Sequence, residues 1–395
     1  MSLGLAGLGW VTPLGSTIDE VWARLLAGAE AETTTLGESL GGKTGRAFTV
    51  PPEAIAEAAR HPRLRRSSAI SRFAVVAGLS ALRDAALELD EASAARTALI
   101  FAISNGGVIY TRRFFHEIVK SGASVASPLL FPETVFNAPA SHLAAILGLT
   151  GASYTLVGDG AVGILALKMA EDLMANPELD RCLVVGAEEV DWLLCDAYRR
   201  WRLLRAQPPI EPFAQPPKGM ILSEGAGAVV LTREASLTIE RIHPGGNFAC
   251  QREAASQLDT ICREMKGAAA TGVLIASANG TFVDEAERVS AANYFAEAAV
   301  YTPKPALGES VAAGAIWQLI CAAQALRTQQ LPPILHAPAK PGLTTARGPG
   351  TSAWQRALIT TCGLNQQAAA LALRVSQVLT LQPLRRTATI SVRDA

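Results

Sequence analysis

The chain has 395 residues, 49% hydrophobic and 18% charged, with 33 glycines. That composition is ordinary for a globular α/β protein, long enough for one large core or two smaller ones without covalent staples. Lys+Arg and Asp+Glu both number 35, so no global field draws the chain to nucleic acid or to an anionic membrane.

SLGLAGLGWV reads as a short strand and TPLG as a turn. STIDEVWARLLAG then carries helix start and stop signals, with Ser16 and Thr17 ahead of Asp19 and Glu20, and Gly28 closing an apolar stripe. The opening stretch lacks a basic segment and is too short and glycine-rich for a signal peptide or a membrane span, which predicts a soluble, cytoplasmic protein. A second helix, AISRFAVVAGLSALRDAALEL, leads to the strand RTALIFAIS and the tip Asn105-Gly106-Gly107. Strand and helix keep alternating, the mark of a buried, largely parallel sheet. Six cysteines (182, 195, 250, 262, 321, 362) include no C-x-x-C pair and none at metal-ligand spacing from a histidine. Reduced core thiols and no metal are expected.

An internal echo organises the rest. ALIFAISNGG at 98–107 resembles GVLIASANGT at 272–281, and GDGAVGILALKMAEDLMA has a counterpart in LGESVAAGAIWQLICAAQALRTQ. The order of elements is kept, which predicts two similar halves, 1–235 and 236–395, packed face to face with both helix N-termini around one cleft.

The stretch VGDGAVGILA at 157–166 fits two readings. Glycines at 158, 160 and 163 spell G-x-G-x-x-G after a strand-like run and before a helix, as in a dinucleotide-binding turn. Against this, Glu188, the acid near the end of the next apolar run, stands farther along than the about 20 residues the fingerprint wants. The alternative is an active-site turn that lacks its nucleophile. Asp159 in this turn is expected to cap the helix that follows, and His142, in ASHLAAIL, to be a satisfied core histidine.

Taken together, these segments resemble the β-ketoacyl carrier-protein synthases of the thiolase fold, over nearly the whole chain. GLGWVTPLGSTIDEVWARLLAG resembles the family's opening strand and helix, SPLLFPETVFNAPASHLAAILGLTGASYTL the approach to the nucleophile, and GMILSEGAGAVVL the close of the first half. SANGT stands where the family has H-G-T, and KPALGESVAAG where it has K-x-x-x-G-H. The resemblance implies two βαβαβαββ halves packed as a five-layer αβαβα sandwich. It puts Gly160 at the nucleophilic Cys, Asn279 at the first His and Glu309 at the second. Lys304 and Glu224 survive at family positions and are expected to pair as structural residues. ITTCGLN at 359–365 resembles the family's F-G-F-G-G gating loop with its phenylalanines replaced.

A thiolate at a helix N-terminus and two imidazoles carry the family's decarboxylative condensation. Glycine has no nucleophile, Asn279 donates a hydrogen bond but transfers no proton, and an anionic Glu309 repels an enolate. The chain is therefore similar to the chain-length factor of type II polyketide synthases, an inert subunit that dimerises with a catalytic ketosynthase. The likeness implies a ketosynthase partner and an acyl carrier protein, with no cofactor. It also assigns Val108, Thr111 and Phe115, at i, i+3 and i+7, together with Leu130 and Phe131, to the dimer interface and the end of the acyl tunnel. The basic run RHPRLRR at 60–66 is a candidate for docking the acidic carrier. A residual malonyl carrier-protein decarboxylase, a standalone acyl-binding homodimer and a dinucleotide enzyme stay open as alternatives.

Overall fold

A computed structural model describes residues 3–37, 44–268, 272–338, 343–344 and 353–376. In chain order it runs β1 (Leu3–Val11), α1 (Ile18–Leu26), β2 (Thr33–Leu36), β3 (Gly45–Phe48), α2 (Ala56–Arg60), α3 (Ala69–Asp84) and α4 (Glu91–Ala95). There follow β4 (Thr97–Ile103), α5 (Val108–Ser121), α6 (Ala138–Leu147), β5 (Ser153–Val157), α7 (Val162–Leu173), β6 (Arg181–Glu188), α8 (Trp192–Arg200), β7 (Leu222–Ser223) and β8 (Gly225–Thr232). The remainder comprises β9 (Leu237–Asn247), α9 (Gln251–Met265), β10 (Val273–Ile275), α10 (Val283–Tyr294), β11 (Ala299–Tyr301), α11 (Lys304–Leu307), α12 (Gly314–Thr328), β12 (Arg356–Cys362) and β13 (Gln367–Val375).

The ten main strands lie in the order β11-β10-β12-β13-β9-β1-β8-β6-β4-β5. Read outward from the β1–β9 junction, both sides show the same sequence of pairings. β1–β8 and β9–β13 are antiparallel, as are β8–β6 and β13–β12, and the outer pairs β6–β4–β5 and β12–β10–β11 are parallel. The echo between 98–107 and 272–281 is thus a topological one, since β4 and β10 occupy equivalent places.

Side chains along each strand alternate between two apolar layers, as the pleat requires. In β4, Ala98, Ile100 and Ala102 face a central core while Leu99, Phe101 and Ile103 face an outer one. In β13, Ala369, Leu371 and Leu373 join the same central core, and Ala368, Ala370 and Ala372 face a different outer one. The central core contains α7 and α12, one outer core α3 and α6, and the other α9 and α10. Helices therefore cover both outer faces and fill the middle, giving the five layers αβαβα. Because α12 lies between the two halves of this sheet, it is apolar all round: every residue from Gly314 to Leu326 is buried. Its Trp317 donates its indole N–H to Ala226 O at 2.8 Å.

Among the cysteines, 182, 195, 262, 321 and 362 are buried free thiols as expected, but Cys250 is exposed. It precedes α9, where the chain is outside every core. Among the described residues no helix is long and apolar enough to cross a membrane.

Candidate functional site

Parallel strands leave their C-terminal ends at one side of the sheet, and the chain emerging from β5, β10 and β12 meets there. The turn after β5 delivers Gly160 to the N-terminus of α7. A Cβ there would stand 3.1 Å from the Cα of Gly363, in the loop between β12 and β13, a tight contact to which that loop would have to yield by a few tenths of an ångström. Gly163, one turn on, lets α7 approach α12, since a Cβ there would meet that of Ala315 at 2.8 Å. The G-x-G-x-x-G spacing thus serves packing within the chain. The space a pyrophosphate would take over Gly160 is filled, and Glu188 accepts the N–H groups of Ser104 and Asn105 rather than facing a cleft.

Asp159 does not cap α7. The N-cap is Ala161, with no side-chain bond, and the Asp159 carboxylate accepts backbone N–H groups from Leu364 (3.1 Å), Asn365 (2.8 Å) and Gln366 (2.9 Å). Beside it, the Cys362 N–H donates to the Ser277 hydroxyl oxygen at 3.0 Å. Burial, then the nearby carboxylates of Glu287 and Asp159, push the Cys362 thiol well above its usual range.

The tip after β10 brings Asn279 to the segment after α11. Asn279 donates through Nδ2 to Glu309 Oε2 at 2.6 Å, and its Oδ1 accepts from the Thr281 hydroxyl at 2.6 Å. Lys304, at the start of α11, donates to the same Glu309 oxygen at 2.6 Å. All three side chains are buried. The expected Lys304–Glu224 pair does not form. Glu224 instead accepts the N–H groups of Val50 (3.1 Å) and Val190 (3.5 Å), because the turn between β7 and β8 points it toward β6. Glu309 stands five residues from Lys304, across the Gly308 bend, and takes the ammonium. The anionic Glu309 that the sequence leads one to expect is thus paired with the Lys304 ammonium.

Two further acids belong to this cluster and escape sequence reasoning. Asp284 accepts N–H groups from Phe213, Asn279 and Gly280, and Glu287 accepts the N–H and hydroxyl of Ser277 and the hydroxyl of Thr360. Burial raises their carboxyls to about 6 and about 7. The signal was present as acids at the start and second turn of the helix after Asn-Gly, a pattern that serves equally for solvent-facing charge.

The residues expected at a tunnel end divide. Val108 and Leu130 are half-buried, while Thr111, Phe115 (64% exposed) and Phe131 (56%) face outward. No residue of α5 is buried. Phe131 packs on Phe114, ring centroids 5.7 Å apart. Val119, Val125, Leu129, Phe136, Tyr154 and Val157 are also exposed, and the last two lie on β5, the unpaired edge of the sheet. Beside this face a groove of about 570 Å³ runs between α5 and α8, lined by Arg112, Arg113, His116, Glu117, Trp192 and Leu193. Val108, Thr111 and Phe115 lie on the neighbouring stripe of α5. Arg60, Arg63, Arg65 and Arg66 are exposed nearby, tied to α5 by Tyr110, whose hydroxyl donates to Arg66 O at 3.0 Å. His142 is bonded as expected at one nitrogen, Nε2 lying 2.6 Å from Glu133 Oε1, but its buried Nδ1 has no partner.

The sequence profile of the β-ketoacyl synthase N-terminal domain matches residues 4–236. The chain is 25% identical over 240 residues to 3-oxoacyl-[acyl-carrier-protein] synthase 2 of Vibrio cholerae, covering 58% of this chain and 56% of that protein. It is 27% identical over 232 residues to nodulation protein E of Rhizobium leguminosarum bv. trifolii, covering 58% and 57%. The matches thus span little more than half the length of these relatives. Among solved structures, a β-ketoacyl synthase from Burkholderia phymatum superposes with a TM-score of 0.80 at 20% identity, covering 95% of this chain and 100% of that one. The ishigamide ketosynthase/chain length factor superposes at 0.81 and 18%, covering 95% and 99%. At these identities the structural likeness speaks for the fold.

Proposed function

The chain belongs to the β-ketoacyl synthase family, and on that premise we propose that it is a subunit without condensation chemistry of its own. In this reading it pairs with an active ketosynthase and shapes that partner's acyl tunnel during polyketide or fatty acyl elongation on a carrier protein. The observation that carries the reading is what occupies the three positions matched to the family's Cys-His-His set. Gly160 supplies no nucleophile, and the Gly363 backbone crowds the point where a side chain would begin. Glu309 accepts from both Asn279 and Lys304, so an amide and a carboxylate–ammonium pair stand where the family has the two imidazoles that polarise a thioester carbonyl. Cys362, the thiol beside the turn, is held protonated by burial, and a buried thiol is no nucleophile.

The exposed apolar face of α5 and the β5 edge support the partner half of the reading. Apolar surface of this extent, next to an unpaired strand, is costly to leave in water and marks an association site. The basic side chains of 60–66 and Arg113 lie beside it and suit an acidic carrier protein by charge.

Co-expression with an active ketosynthase tests the proposal. A one-to-one complex that elongates acyl chains is expected, with this chain alone aggregating or forming a weak homodimer and turning over neither acyl-carrier nor malonyl-carrier substrates. A stable monomer indifferent to the partner would sink it, as would condensation by the isolated chain.

A further inference from the structure

Three consecutive backbone N–H groups, of Leu364, Asn365 and Gln366, converge on the carboxylate of Asp159 at 2.8 to 3.1 Å. Successive amides aimed at one point form a nest, an arrangement that binds anions. Its occupant here comes from the chain itself, from a residue more than two hundred positions away and adjacent to Gly160. The fit is close on both sides. Asp159 is 9% exposed, and a Cβ on Gly363 would fall 2.0 Å from its Oδ2, so only glycine lets the carboxylate seat. The same loop covers Gly160 and encloses the thiol of Cys362, which is 3% exposed.

We propose that the 364–366 amides are a carboxylate-binding nest, and that Asp159 occupies it as an internal ligand. By doing so it latches the loop over the Gly160 turn and seals Cys362. Bonds from neutral amides to a charged acceptor are the strong kind, and one side chain makes three of them. Its loss releases a whole loop while leaving the sheet pairings intact. The proposal stands on this geometry alone, whether or not a partner subunit exists.

The test is backbone hydrogen exchange and thiol labelling on the full chain, as wild type and as Asp159→Ala. Exchange at 364–366 is expected to quicken by about tenfold or more, as for a locally opened segment, with Cys362 becoming labelled by iodoacetamide. Added formate, but not chloride, should restore both protections. Gly363→Ala, which keeps the carboxylate but drives it off its seat, is expected to open the same loop, and it serves if Asp159→Ala does not fold. Unchanged exchange in the folded variants would overturn the latch, as would a rise spread evenly over the core. Opening that formate leaves unaltered would overturn the nest.

Discussion

Lys304 Nζ lies 2.6 Å from Glu309 Oε2, and both side chains are almost wholly out of water. Removing one member of a buried pair strands the other charge, at a cost of about 3–5 kcal/mol, whereas replacing both by apolar groups is often close to neutral. Lys304→Met is therefore expected to lose that much in urea unfolding, and Lys304→Met with Glu309→Leu to regain most of it. Simple additivity of the two single changes would show that the pair is not coupled.

Gly160→Cys is expected to form no acyl adduct by intact mass after incubation with acyl carrier protein or acyl-CoA. The new Cβ meets the Gly363 backbone at 3.1 Å, and Asn279 and Glu309 leave no imidazole to assist. Overpacking of this kind costs roughly 1–3 kcal/mol. A stoichiometric thioester on the variant would mean that the loop yields and that the matching of the histidine positions is wrong.

Stability should fall as pH rises. Burial pushes the carboxyls of Glu188, Glu189 and Glu224 up from 4.5 to about 8, 7 and 7. A carboxyl whose folded pKa lies above its unfolded value favours the native state fully below the unfolded pKa, and that contribution is lost as pH climbs through the folded one. Each unit of difference is worth about 1.4 kcal/mol, so the urea midpoint is expected to decline between pH 5 and pH 9. Glu188→Gln, neutral throughout, should flatten the upper part of the curve. A midpoint that climbs over this range would contradict the assignment.

Phe115 is no core residue, so Phe115→Ala should change the stability of the isolated chain by no more than about 0.5 kcal/mol. In a complex with an active ketosynthase the same change is expected to lengthen the products, and Thr111→Phe to shorten them. An unaltered product distribution from well-folded complexes of both variants would show that this face of α5 does not measure the chain.

The strand–helix alternation, the helix after Asn105-Gly106-Gly107 and the glycine turn before α7 were legible from the sequence because each rests on a local pattern. A strand buried on both faces reads as an apolar run, and a helix between the two halves of the sheet as one apolar all round, wherever the rest of the chain goes. The family likeness was legible for the same reason, as short motifs in a fixed order. Partner choice was not. Lys304 and Glu224 stand at family positions, yet the Gly308 bend hands Lys304 to Glu309 and the β7–β8 turn sends Glu224 to the N–H groups of Val50 and Val190. Asp159 looks like a helix cap from its neighbours alone, and only the return of the chain after β12 supplies the three amides it binds. Such choices depend on which of several donors lies within about 3 Å once the layers have packed. For Asp159 the donors return from more than two hundred residues away, and no local pattern encodes them.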